Sequence, residues 1–303
     1  RRLNQGYLNL DIPESKIDLD KQGRAINVGK YETSFSNEII EHFMLSANEA
    51  IAEKFYWLDA PFIYRVHEDP DFDKVKDLNK FLYNFGLRIK ITNGKVYPTE
   101  VSKILEQIKG TEAEKVISTL ILRTLKVARY EAENKGHFGI ASKYYCHFTS
   151  PIRRYPDLFI HRIISKYLDE NYDVEEKWIE EHQKQAEERA KESSEREKVA
   201  TKVEREAEDI KKAEYMQNRI GEEYEGIISS ITSFGIFVEL ENTVEGLVKF
   251  DNIGDEYFIY DDERKRLIGE RTNKTYKIGD KVKIRVINAS KILRQIDFEI
   301  VEQ

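Results

Sequence analysis

From about residue 176 to 216 the chain reads "EEKWIEEHQKQAEERAKESSEREKVATKVEREAEDIKKAEYM", rich in Glu and Lys, with no glycine or proline and few apolar positions. Such a run lacks turn residues and cannot bury both faces of a strand, so it predicts a long solvated helix or helical pair. The rest of the chain must fold on either side of it.

The two flanks differ in kind. After "NRIG" the sequence turns β-rich, with "EEYEGIISSI", "FGIFVEL", "EGLVKF" and "KVKIRVINAS" separated by Gly, Asn and Asp turns. Five or so short strands in about 80 residues predict a small OB-type barrel. The amino-terminal flank alternates early, in "YLNLDI", "KIDLD" and "AINV", and then becomes helical. Ile39, Ile40, Phe43, Met44, Ala47, Ile51 and Phe55 recur at three and four and predict an amphipathic helix from Ser36 to about Trp57, with Glu41 and Asn48 in its polar stripe. Further helices are expected at about 73–85, 99–109 and 112–131, the last a core element. The fold class is α+β: residues 1–172 form a helix-rich part, 173–218 a charged helical extension and 219–303 the barrel.

At 303 residues the chain has room for two or three cores. Lys plus Arg number 49 against 56 Asp plus Glu, a formal charge of −7, so no basic coat advertises a polyanion and any nucleic-acid contact must be local. A single cysteine, Cys146, excludes an internal disulfide and fits a reducing cytoplasm. No run of about 18 apolar residues is present, so no membrane partner is expected. The chain opens on Arg1, compatible with truncation or processing.

Cations gather in one place, "HFTSPIRRYPDLFIHR", residues 147–162. Ser150 before Pro151 reads as a helix start and puts Arg153 and Arg154 in the first turn. Cations there oppose the helix dipole by about 0.3–1 kcal/mol each. Free amides, the Thr149 and Ser150 hydroxyls and guanidinium forks would form a phosphate or carboxylate receptor, with Asp157 orienting Arg153. An ordinary surface helix with an Arg153–Asp157 pair accounts for the spacing equally well.

Metal chemistry finds little support. The six histidines include no HExxH and have no cysteine pair beside them. "RVHEDPDFDKVKDL" has Lys74 and Lys80 where a calcium loop needs Gly and Glu, so Asp69 or Asp71 is better read as a helix cap. Asp18 and Asp20 are two carboxylates and not a cluster for two metal ions. "GHFGIA" reads as a tight loop with close backbone packing. In the barrel, Phe234, Phe237 and Phe250 are candidates to stack on bases, with Lys249, Arg264, Lys265 and Arg266 beside phosphates. Core packing of the same aromatics is the competing reading.

The uninterrupted "GHFGIASKYYCHFTSPIRRYPDLFIHR" closely resembles the signature of the ribonuclease II and ribonuclease R family of 3′-to-5′ exoribonucleases. "GRAINV", "IIEHFMLSANEAIAE" and "FIYRVHEDP" before it, "SEREKVATKVEREAEDIKKAEYM" after it and an S1-type barrel agree in order over essentially the whole chain. The resemblance implies a catalytic domain that threads single-stranded RNA into a narrow channel and hydrolyses its 3′ end to nucleoside 5′-monophosphates, using Mg2+ held by aspartates. By position, it implies that Arg153 holds phosphates near the scissile bond and that Glu41 contacts the terminal nucleotides. Glu204 would be a further channel residue, and Thr149, Ser150, Arg154 and Tyr155 would contact RNA, with Asp157, His161 and Arg162 in support. His42 stands where the family usually has a second glutamate, and Leu10 where some members have a clamping phenylalanine. The family's aspartate-rich motif is not in this sequence, so the metal ligands are expected upstream of residue 1. The chain by itself is then expected to be inactive; the alternative is a non-catalytic RNA-binding protein. No obligate protein partner is implied.

Overall fold

The computed structural model describes residues 5–10, 14–111, 113–254, 256–261 and 266–301. The described residues fall into two compact units, one within Arg1–Leu10, Thr33–Lys109 and Leu120–Ala200, the other within Asp11–Glu32, Gly110–Thr119 and Thr201–Gln303. Both units are discontinuous in sequence.

Strands β1 (Ser15–Leu19) and β2 (Ala25–Lys30) form a hairpin, as "KIDLD" and "AINV" predicted. Its turn is fixed by Asp20, whose carboxylate accepts from the amides of Gln22 and Arg24 and from Arg24 Nε. Tyr7–Leu10 of "YLNLDI" form no strand, and the Asp11 and Ile12 that end it lie outside the described residues. Helix α1 (Phe35–Tyr56) begins at Ser34, in a capping box with Asn37. Strand β3 (Tyr64–Val66) follows, then α2 (Phe72–Leu82), the two-residue strands β4 (Ile91–Thr92) and β5 (Lys95–Val96), α3 (Pro98–Ile108) and α4 (Glu114–Thr124). Strand β6 (Arg129–Glu131) pairs antiparallel with β3. Helix α5 (Tyr155–Asp169) and the 42-residue α6 (Glu176–Gln217) complete the helical part.

The core of the first unit joins Ala52 and Phe55 of α1, Phe62, Ile63, Tyr64 and Val66, Phe159, Ile160 and Ile163 of α5, and Ala186 and Ala190 of α6. The fully buried residues that α6 gives this core are alanines, which let the helix approach closely. Arg65 adds an ion pair to Glu197 at 2.6 Å and lies over the Tyr130 ring.

In the second unit, β7 (Glu223–Thr232), β8 (Gly235–Leu240), β9 (Glu245–Lys249), β13 (Lys281–Ser290) and β14 (Gln295–Ile300) close a barrel in the order β13-β14-β9-β8-β7. Between β9 and β13, β10 (Phe258–Asp261), β11 (Arg266–Gly269) and β12 (Thr275–Lys277) form a separate antiparallel sheet. Alternate positions Ile228, Ile236, Val238, Val248, Ile284, Val286 and Phe298 fill the barrel, and Val28 of β2 with Ala213 and Met216 of α6 join the same core. Gly246 is required there, because a Cβ would lie 2.4 Å from the Phe298 ring.

Three local expectations are corrected. In α1 the buried face is Leu45, Asn48, Ala52 and Phe55, whereas Ile39, Ile40, Phe43 and Met44 are exposed. Apolar side chains occupy more than one face of that helix, so periodicity did not select a face and the packing partner did. The helix expected over 112–131 ends at Thr124, because Arg129–Glu131 pair with β3 and Arg129 bonds Glu68 at 2.7 Å. Asp71 occupies the cap position of α2, but its side chain makes no capping bond and faces Lys126 at 3.4 Å.

Candidate functional site

The arginine pair does not sit in a first helical turn. Ser150–Arg153 form a turn in which the Ser150 carbonyl accepts from the amides of Arg153 at 3.3 Å and Arg154 at 3.2 Å. Pro151 presets the second turn position, and it is Pro156, in the first turn of α5, that marks the helix start with Arg154 at its cap. Ser150 does not cap through its hydroxyl; its amide donates to Asp157 Oδ1 at 2.7 Å.

Asp157 is fully buried and chooses between the two arginines. Its carboxylate takes Arg154 Nε at 2.9 Å and Nη2 at 2.8 Å, a bidentate fork in place of the Arg153 pairing expected from i,i+4 spacing. The pairing fixes Arg154 against the protein. Arg153 is exposed, and its guanidinium bonds no other described residue. The half-buried Thr149 and Ser150 hydroxyls are likewise without a described partner, and Tyr155 is exposed beside them.

The segment leading into this turn is held from two helices. From α1, buried Asn48 accepts the Phe148 amide on Oδ1 at 3.0 Å and donates from Nδ2 to the Tyr145 hydroxyl at 3.2 Å, while its carbonyl accepts the Cys146 thiol. From α5, His161 Nε2 contacts the Phe148 carbonyl at 2.9 Å, and the two rings stack at 4.4 Å. Glu41, two turns before Asn48 on α1, is exposed and accepts the Tyr7 hydroxyl at 3.1 Å. His42 faces the Tyr7 ring edge-on.

Behind the turn lies a cluster of neutral histidines. Burial first, and then the nearby guanidiniums of Arg154 and Arg65, push His147 down to about 2. Burial, reinforced by His67, takes His137 down to about 3. His67 Nδ1 accepts the Gly139 amide at 3.1 Å, so its proton sits on the buried Nε2. A Cβ on Gly139 would meet His67 Nδ1 at 3.0 Å, which explains a glycine in the "GHFGIA" loop.

In the second unit, Phe234 is exposed at the β7–β8 turn and meets half-buried Phe237 edge-on at 6.1 Å. Phe250 packs against the barrel core, and exposed Lys249 lies 3.9 Å from Asp297. Exposed Glu204 and Phe237 line one groove of about 1000 Å³ with Glu208, Leu247 and Arg294. Arg266 is paired to Asp261 at 2.9 Å; Arg264 and Lys265 lie outside the described residues.

Among the described residues, no group of three or more His, Cys, Asp or Glu side chains is placed to hold a metal ion. Asp20 is engaged by its own turn and Asp18 by Asn27 and Lys16, so this donor set does not fit a catalytic metal. No helix among the described residues is long and apolar enough to cross a membrane.

Compared with known families, residues 1–170 match the model of the RNB domain. The chain belongs to the RNB family. Behind the RNB part, residues 217–300 match the S1 RNA binding domain. Ribonuclease R 1 of Lactococcus lactis subsp. lactis (strain IL1403) is 42% identical over 300 residues, covering 98% of this chain and 36% of that protein. Ribonuclease R of Aquifex aeolicus (strain VF5) is 40% identical, covering 100% of this chain and 42% of its own length. The chain thus spans about two-fifths of these RNB relatives. The apo form of Mycoplasma genitalium RNase R superposes with a TM-score of 0.92 at 30% identity, over 99% of this chain and 47% of that one. The same enzyme in complex with ribose methylated single-stranded RNA superposes equally well.

Sequence reasoning missed that buried Asn48 ties the segment before the turn to α1. Its two-turn spacing from Glu41 was visible, but its burial was not.

Proposed function

We propose that this chain is the RNA-holding part of a processive 3′-to-5′ exoribonuclease that degrades single-stranded RNA to nucleoside 5′-monophosphates. The observation that carries the reading is the division between the two arginines. Buried Asp157 consumes Arg154, leaving the Arg153 guanidinium at the turn beside two hydroxyls that have no partner among the described residues. An exposed planar cation of this kind suits a phosphodiester, whose developing charge it would stabilise. Glu41, with Tyr7 against it, is assigned to the terminal nucleotides. Thr149, Ser150 and Tyr155 line the approach, Arg154 shapes it, and Glu204 serves as a channel residue. The family membership and the ribonuclease R relatives support the reading.

In the same reading, residues 1–172 are the rear of the catalytic domain, 173–218 a helical extension and 219–303 the RNA-binding barrel. There Phe234, Phe237 and Phe250 meet bases and Lys249 a phosphate. Mg2+ is assigned to aspartates in parts of a longer protein outside this chain, and the location to the cytoplasm, where buried Cys146 stays reduced.

The test is Arg153→Ala in the full-length protein, with turnover and RNA affinity measured separately. The expected result is a loss of roughly 10²–10³ in kcat with little change in Kd. Equal kcat with weakened binding would overturn the catalytic assignment.

A further inference from the structure

We propose that Asn48 is a positioning residue, setting the Thr149–Arg153 turn against helix α1 so that the phosphate grip and Glu41 stay in register. The proposal rests on the reading of Arg153 given above.

The side chain is 3% exposed, and both of its polar atoms are used on one segment, through the Phe148 amide and the Tyr145 hydroxyl. The Phe148 amide immediately precedes Thr149. A buried primary amide is the side chain that can accept and donate within one plane, and losing either bond leaves a buried partner unsatisfied. Asp157 and His161 hold the turn from α5 alone, through Ser150 N, Arg154 and Phe148 O. Asn48 is therefore the side-chain link between this turn and the helix that carries Glu41. An apolar residue at 48 would pack beside Ala52 and Phe55 with no desolvation cost but would leave the Phe148 amide without this acceptor. A shift of about 1 Å in a charged group at a reaction centre lowers rate by up to about 100-fold.

The experiment is a double-mutant cycle in the full-length protein, pairing Asn48→Leu, of similar volume, with Arg153→Ala. The expected result is a roughly 10- to 100-fold loss in kcat for Asn48→Leu, with RNA Kd changed less than about threefold. In the Arg153→Ala background most of that loss should vanish, because the group being positioned is gone. A residue that merely stabilises the fold would cost the same in both backgrounds. If Asn48→Leu does not fold, Tyr145→Phe and Asn48→Asp, the latter keeping an acceptor for the Phe148 amide, carry the same cycle. An Asn48 variant with kcat within twofold of the parent overturns the inference, as does a loss that persists undiminished beside Arg153→Ala. Arg153→Ala with unchanged kcat instead overturns the reading of Arg153 itself.

Discussion

At the scale of single residues, adjacent arginines of the same type have unlike jobs because one carboxylate is buried. Asp157→Ala would leave Arg154 unpaired against the protein and the Ser150 amide without its acceptor. The expected cost is about 3 kcal/mol, tempered by the 19% exposure of the Arg154 side chain, and is measurable by urea denaturation. Lysine at position 154 should lose much of the same stability, since a point charge cannot reproduce the fork. The sequence showed that the cations were clustered and that Arg, Asp and His shared a stretch. Spacing alone favoured the wrong pair, because i,i+4 geometry applies only inside a helix, and Arg153 lies before α5 begins.

At the scale of elements, the loop Gly136–Ala141 and strand β3 enclose His67 and His137, both held neutral by burial. In the unfolded chain these histidines take up protons near the ordinary value of 6.5, which the folded protein refuses. Stability is therefore fully present above about pH 6.5 and declines as pH falls below it, down towards pH 3 for His137. Thermal melts across this range should show a falling Tm, and replacing His137 by Phe should flatten the fall. Gly139→Ala, which forces a methyl against His67, is expected to cost about 1–3 kcal/mol in the same assay. Helices were legible where apolar periodicity was clear, as in α2 and α3, and where turn residues were missing, as in the long α6. The end of α4 was not legible, because the competing interaction, pairing of β6 with β3, joins segments some sixty residues apart. Nor was the buried face of α1, since its apolar residues occupy more than one face and only its partners choose among them.

At the scale of the whole molecule, the change of composition near residue 218 located the barrel but not its full core. Val28, Ala213 and Met216 pack into it from outside the barrel sequence. Val28→Ala is expected to destabilise the second unit by about 2 kcal/mol, and a fragment limited to residues 219–303 to melt well below the same barrel in the complete chain, both by calorimetry. RNA binding by a chain of net charge −7 must rest on local contacts, so the logarithm of its affinity should fall linearly with log salt with a slope set by few phosphates.

The hairpin β1–β2 also constrains when this protein can finish folding. Ser15 bonds Thr243, and the Ala25 amide bonds Glu214, so the hairpin must wait while roughly two hundred further residues of chain emerge before its partners exist. On the ribosome the hairpin lacks those partners until the end of α6 and the first barrel strands have been made. A chaperone or a translation pause before the barrel would act on that interval, not on the helical core that precedes it.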